Sequence, residues 1–261
     1  MTDNRSVNKK EWDYTEHAKY YDRRPNYAPE AVEHLAKYVG AETENFIVAD
    51  IGAGTGNLTV LIFDKAAKVF SVEPNAAMRN IGIEKTEDMK NVTWSVGTGE
   101  ETGLADQSVN LAAFGSSFNC TDRAKTLKEV HRILKSDGWF TCMWNNRDLT
   151  EPTQKKVEGI LQEFYPEYSH GTRREQQEDV ILASRLFNNV YYFEEEQLVA
   201  IPLEKYIEAW RSVKNAFWDF STEEGKATFE KIATRIRDEL KDTPVLKLKY
   251  DTRVWVAKKI D

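Results

Sequence analysis

Residues 46–59 hold the densest chemical signal in this 261-residue chain: Phe46-Ile47-Val48-Ala49-Asp50-Ile51-Gly52-Ala53-Gly54-Thr55-Gly56-Asn57-Leu58-Thr59. A short apolar run with one acid, ending in glycines, predicts a strand buried on both faces followed by a tight turn. Glycines at alternate positions let the backbone approach a ligand with no Cβ in the way. A helix start after such a turn presents free N–H groups to an anionic or polar ligand. The stretch therefore reads as a cradle for a nucleotide-type cofactor. The dinucleotide fingerprint G-x-G-x-x-G requires its third glycine where this chain has Asn57, which argues against a nicotinamide cofactor.

A second carboxylate follows at a telling distance. Lys68 to Val72 reads as a strand that ends in Glu73-Pro74-Asn75, with Glu73 lying 23 residues after Asp50. That is close to the ~20-residue spacing of an acid that accepts hydrogen bonds from ribose hydroxyls. Asn75 predicts the N-cap of a helix carrying Met78, a core residue or a packing face for an adenine ring. The third strand, Val92 to Val96, turns through Gly97-Thr98-Gly99-Glu100. Strand four, Asn110 to Gly115, ends in Ser116-Ser117-Phe118, where ligands of an open α/β sheet bind beyond the strands' carboxyl ends.

The order Asp50-x-Gly52-x-Gly54-x-Gly56 resembles motif one of the class I S-adenosylmethionine-dependent methyltransferases. Two further strings resemble the small-molecule, type 11 branch related to trans-aconitate methyltransferase: Tyr21…Arg24-Pro25-x-Tyr27 before the cradle, and Trp144-Asn145-Asn146-Arg147-Asp148 after strand five. The resemblance covers residues 10–148 and, more loosely, 186–258. It implies S-adenosylmethionine as cofactor and S-adenosylhomocysteine as product. It also implies a lid in which Tyr21 and Arg24 touch the methionine end, with Asp50, Gly52, Ala53, Gly54, Thr55, Gly56, Asn57 and Ser116 around it. Glu73, Pro74, Met78, Thr98, Gly99 and Glu100 would hold the adenosyl part. Relatives often carry His-Trp where this chain has Ser117-Phe118, so an acid–base histidine is missing there. His170, in the polar loop His170-Gly171-Thr172-Arg173-Arg174, is the weak substitute.

The elements that must position these groups follow from periodicity. Val32, Leu35, Ala36 and Val39 give one apolar helix face closed by Gly40. A helix opening at Asp122 and closing at Asp137-Gly138 precedes strand five, Trp139 to Trp144. The expected fold is α/β: a doubly wound, Rossmann-like, seven-stranded and mostly parallel sheet with an antiparallel edge strand and a helical cap insertion. The expected division is 1–148 for the lid and cofactor core, 149–188 for the cap insertion on the substrate side, and 189–261 for the rest of the sheet with further cap helices. Ser117, Phe118, Trp144, Asn146, Arg147, Tyr206 and Trp210 are the candidate acceptor-site residues. Glu194-Glu195-Glu196 is expected as a solvated turn.

Composition bounds the rest. A net charge of −7, from 36 basic and 43 acidic residues, argues against a nucleic-acid partner. The polar first 25 residues and the want of a long apolar run predict no secretory leader and no membrane span. Two cysteines without metal spacing point to the cytoplasm and to no metal. The expected activity is methylation of a small molecule, first of all O-methylation, with a carboxylate among the acceptors because it needs no base. N-methylation, a non-catalytic cofactor-binding protein, an NAD(P)-dependent oxidoreductase and a nucleic-acid methyltransferase are the rivals. Oligomeric state is left open.

Overall fold

The computed structural model describes residues 14–41, 44–168, 174–213 and 217–261. Seven strands form one sheet: β1 (Ile47–Ile51), β2 (Lys68–Val72), β3 (Val92–Ser95), β4 (Val109–Gly115), β5 (Leu134–Arg147), β6 (Phe187–Pro202) and β7 (Val245–Lys259). Their order across the sheet is β3-β2-β1-β4-β5-β7-β6. The first five strands run parallel, and β7 pairs antiparallel with both β5 and β6. The reversed strand thus sits one in from the margin, with β6 outermost. The order reverses between β1 and β4, which places the crevice for a ligand above their carboxyl ends.

Successive strand residues go to opposite faces, so each strand feeds two cores. On one face Val48, Leu111, Met143, Val254 and Val256 pack with α1 (Pro29–Val39). Gly40 ends that helix in the left-handed region, as expected. On the other face Ala49, Phe114, Phe140, Trp144 and Trp255 pack with α4 (Arg123–Ile133) and α6 (Glu178–Ala183). Asn75 caps α3 (Ala76–Lys85) by accepting the Met78 N–H, and Asp122 caps α4 by accepting the Lys125 N–H.

The cap has a core of its own. Helices α5 (Pro152–Phe164), α7 (Leu203–Trp210) and α8 (Glu223–Leu240) pack on Ile201, Leu246, Leu248 and Tyr250. Those four residues belong to the far ends of β6 and β7, strands of 16 and 15 residues that run past the sheet into the cap. Cap and sheet are therefore joined by a continuous hairpin ladder.

Three expectations need correction. Glu194 to Glu196 lie inside β6, opposite Arg253, Thr252 and Asp251, and are not a turn. A cross-strand cation stabilises acids there, since Lys249 pairs with Glu196, and His34 of α1 places its Nδ1 3.0 Å from Glu195. Helix α4 ends at Ile133 rather than at Asp137-Gly138, because the chain enters β5 at Leu134 and bulges before Trp139. The helix after the glycine turn, α2 (Thr59–Ile62), is a single turn, so the loop's own N–H groups matter more than a helix terminus.

Candidate active site

The glycine loop closes on itself through a carboxylate. Gly52, Gly54 and Gly56 all have positive φ, at 68°, 59° and 79°. A Cβ on Gly52 would lie 2.6 Å from Ser117 Cβ, so the turn cannot accept a side chain without moving the end of β4. Glu73 accepts the Gly54 N–H at 2.9 Å through one oxygen and the Asn75 N–H at 2.8 Å through the other. The β2 acid is thus clamped between the glycine loop and the α3 cap, with lone pairs left on each oxygen. Burial raises its pKa, and the two N–H donors offset part of that rise.

Asp50 is fully buried at the end of β1. Its Oδ2 accepts the Thr59 hydroxyl at 2.7 Å, while its Oδ1 has no hydrogen-bond partner. Burial, aided by the nearby Glu73 charge and resisted by the Thr59 bond, pushes its pKa up to about 7. An orphaned buried carboxylate oxygen is a place where a ligand cation or donor is stabilised.

These groups line a cavity of about 750 Å³, within the size of a cofactor site. Of the expected cofactor residues, Tyr21, Arg24, Asp50, Gly52, Ala53, Gly54, Thr55, Asn57, Glu73, Pro74, Met78, Thr98, Gly99, Glu100 and Ser116 all border it. Gly56 does not; it backs onto the Trp94 ring, where a Cβ would sit 3.3 Å from the indole. Ser117, expected on the acceptor side, borders this larger cavity, and its hydroxyl donates to Ile51 O at 2.6 Å. The Thr98 hydroxyl accepts the Glu101 N–H at 3.2 Å, closing its turn. Tyr27, which closes the lead-in string but had no role assigned to it, also borders the cavity, its hydroxyl 3.0 Å from Ser116 Oγ. Ser116 is a non-glycine at φ 57°, a strained conformation of the kind that collects at ligand sites.

A second cavity, about 150 Å³, shares Arg24, Pro25 and Asn145 with the first. Asn146, Arg147, Tyr206 and Trp210 border it, together with Tyr168, Arg174 and Tyr250, which the sequence reading did not select. The Arg147 guanidinium lies 4.3 Å from the centroid of the Trp210 ring, and its Nη2 is 3.0 Å from Glu158 Oε2. Three buried donors on this lining have no hydrogen-bond partner: Asn146 Nδ2, Arg147 Nη1 and the Tyr206 hydroxyl. Burial raises the Tyr206 pKa, and the neighbouring Arg147 opposes that rise.

Two expected acceptor residues fall elsewhere. Phe118 is fully buried against Phe114 and Phe140 and borders neither cavity. Trp144 is buried against Trp255, with its indole N–H donated to Asn119. Both are core residues, because their strand or turn position points them to the face that α4 covers. His170 lies outside the described residues. Asn145, beside the expected pair, is the anchor instead: its amide donates to Pro25 O and Asn26 O, at 3.2 and 2.8 Å, and bolts the lead-in segment onto β5.

The lead-in bridges the two cavities. Asp22 meets Lys85 of α3 at 2.5 Å, Asn26 Nδ2 donates to Asn57 O, and Arg24 donates to the Ser212 hydroxyl and carbonyl beside α7, both at 2.5 Å. The Arg24 guanidinium also lies 4.2 Å from the Tyr21 ring centroid.

Residues 49–142 match the methyltransferase domain family. Among curated proteins the chain is similar to the uncharacterised methyltransferase C25B8.09 of Schizosaccharomyces pombe, 31% identical over 57% of this chain and 58% of that one. It is 33% identical to the ubiquinone/menaquinone biosynthesis C-methyltransferase UbiE of Rubrivivax gelatinosus, over 37% of this chain and 38% of that one. These matches span about half or less of each relative's length. The fold is shared with the YcgJ protein of Bacillus subtilis, at a TM-score of 0.55 and 14% identity, covering 89% of this chain and 99% of that one. The glycine cradle, the clamped Glu73 and the strand order thus lie round a stretch, residues 49–142, that matches the methyltransferase domain family, within the fold shared with YcgJ.

Proposed function

We propose that the chain is a methyltransferase that O-methylates a small molecule at a carboxylate. The observation that carries this reading is the set of three unpartnered buried donors, Asn146 Nδ2, Arg147 Nη1 and the Tyr206 hydroxyl, on a cavity that adjoins the cofactor cavity. A carboxylate satisfies such donors, and a hydrogen bond from the charged Arg147 Nη1 to an ionised oxygen is of the stronger kind. An amine acceptor would instead set a cation beside Arg24, Arg147 and Arg174.

The cavity fits the cofactor: it is large, it meets side-chain-free backbone at Gly52 and Gly54, and Asp50 offers an orphaned oxygen. Glu73 is the group for the ribose hydroxyls, Met78 and the turn at Thr98-Gly99-Glu100 for the adenine, and Asp50, Tyr21 and Arg24 for the methionine end. When bound, S-adenosylmethionine supplies a methyl group on a cationic sulfonium; the acceptor oxygen bonds that carbon as the carbon–sulfur bond breaks, its electron pair staying on sulfur. An ionised carboxylate brings its own electron pair, so no side chain needs to remove a proton. His17, His34 and His131 are engaged with Arg211 O, Glu195 and Ile260 O, and none borders either cavity. The chain's task is placement: Arg147, Asn146 and Tyr206 hold the acceptor and Glu73 the donor. Such positioning supplies ~7–11 kcal/mol of the barrier.

In this reading 1–148 form the lid and cofactor core, 149–188 the cap insertion and 189–261 the rest of the sheet with further cap helices. No helix among the described residues is long and apolar enough to cross a membrane. The reading includes a cytoplasmic location and, from the net charge of −7, no nucleic-acid partner. The test is transfer of labelled methyl to a panel of small carboxylates, amines and phenols. Label released as methanol by mild alkali marks a methyl ester and supports the reading. Alkali-stable label on an amine or a carbon overturns it.

A further inference from the structure

We infer that Glu158 is a positioning residue that sets the charge of the acceptor site by neutralising Arg147. The inference rests on the carboxylate reading above. Glu158 sits on α5 in the cap and does not border the acceptor cavity. Its Oε2 lies 3.0 Å from Arg147 Nη2, and both side chains are largely buried, 13% and 14% exposed. The Trp210 ring covers the guanidinium at 4.3 Å. These contacts fix Arg147 from behind and leave Nη1 as its buried, unpartnered donor.

The arrangement has a cost and a use. A carboxylate held by an uncompensated buried guanidinium forms a tight ion pair, and tight pairing lowers the nucleophilicity of the oxygen that must attack. Uniformly stronger ground-state binding lowers KM without raising kcat. With Glu158 ionised beside it, Arg147 still donates hydrogen bonds and still orients the acceptor, but its charge is already spoken for. The acceptor oxygen keeps its electron density, and the neutral ester product meets no net charge that would retain its precursor in competition.

Arg174 lies close enough to feel both Arg147 and Glu158, and its Nη2 donates to Arg147 O at 2.6 Å. Tyr206 and Tyr168 also lie close enough to bear on the Arg147 charge. Among the described residues, Glu158 is the carboxylate that ion-pairs with Arg147.

The experiment compares wild type with E158Q and E158D, using benzoate, phenylacetate and short aliphatic mono- and dicarboxylates as acceptors at saturating S-adenosylmethionine. E158Q keeps the acceptor atom and removes the charge; it is expected to lower KM for the carboxylate and to lower kcat, each by about tenfold or more, the low end for one close charge pair. E158D draws the charge back by one methylene and is expected to move both constants the same way by less, which keeps the question answerable if E158Q does not fold. A purely structural Glu158 would raise KM in both variants as Arg147 loses its seat, and that result overturns the inference while leaving O-methylation standing. If the wild type methylates no carboxylate of the panel, the functional reading itself fails and takes this inference with it.

Discussion

Arg147 and Trp210 meet face to edge of two units: the guanidinium at the carboxyl end of β5 lies 4.3 Å from an indole centroid on α7 of the cap. The contact joins the strand that borders the larger cavity to a helix that lines the smaller one. It leaves an arginine donor facing a small buried space, and the first prediction concerns it.

Replacing Arg147 by Lys removes both the planar fork and the stacking surface. Acceptor KM is expected to rise by roughly tenfold or more, equivalent to ~1.4 kcal/mol or more. Affinity for S-adenosylhomocysteine, measured by calorimetry, is expected to stay within about twofold, since that cofactor cavity does not include Arg147. Equal losses in both would place Arg147 in the scaffold and not at the acceptor.

Glu73→Ala removes the acceptor of the Gly54 and Asn75 N–H groups and, with it, the proposed ribose partner. A hydrogen bond to a charged group is worth ~1.5–3 kcal/mol, so S-adenosylmethionine affinity is expected to fall by roughly 10- to 100-fold while the fold persists by circular dichroism. Unchanged affinity would remove Glu73 from the ribose role.

Asp50 gives the site a pH dependence with a defined sign. Its carboxyl titrates near 7 in the folded protein, against about 3.9 in an unfolded chain. The folded state therefore holds its proton longer, and the ligand-free protein loses stability as pH rises from about 4 to about 7. A cationic cofactor favours the ionised form, so S-adenosylmethionine affinity should improve by up to about tenfold between pH 6 and 8. Calorimetric titration at pH 6, 7 and 8 checks this. A flat profile in wild type, or the same slope in Asp50→Asn, would show that Asp50 does not set it.

Gly52→Ala forces a Cβ to within 2.6 Å of Ser117 at a φ of 68°. The expected destabilisation is about 1–3 kcal/mol from the backbone alone, with a larger loss of cofactor binding because Ser117 borders the cavity. Denaturant titration of the two proteins measures it, and equal midpoints would mean that the turn relaxes freely.

Cofactor choice is separable from all of these. A ligand at 100 times its dissociation constant stabilises the fold by ~2.7 kcal/mol. Thermal denaturation is expected to shift with S-adenosylmethionine and not with NADH.

The grouping of residues round the larger cavity was legible in the sequence because its spacing is local. A glycine turn, an acid one β-α-β unit later and a capping Asn75 are fixed by short-range spacing, and the structure places them round one cavity. The acceptor half was legible only in part. Asn146 and Arg147 stand at a strand end, where polar residues are conspicuous, but Tyr168, Arg174 and Tyr250 come from a cap helix's trailing turn, a loop and a strand more than 70 residues further on. No periodicity brings those together; the long β6–β7 hairpin does. Phe118 and Trp144 misled because an aromatic at a strand's carboxyl end reads alike whether it faces a ligand or α4; only the alternation of faces decides. The triple glutamate misled because acids are rare in strands unless cations oppose them, as Arg253 and Lys249 do here.

The most direct measurement is a crystal structure with S-adenosylhomocysteine and the carboxylate of the panel that is methylated fastest. The account predicts the adenosyl group in the larger cavity with its ribose on Glu73, and a carboxylate oxygen within hydrogen-bond distance of Arg147 Nη1, turned toward the cofactor sulfur. An acceptor bound away from Arg147, with its reacting atom reaching the sulfur by another route, would contradict it.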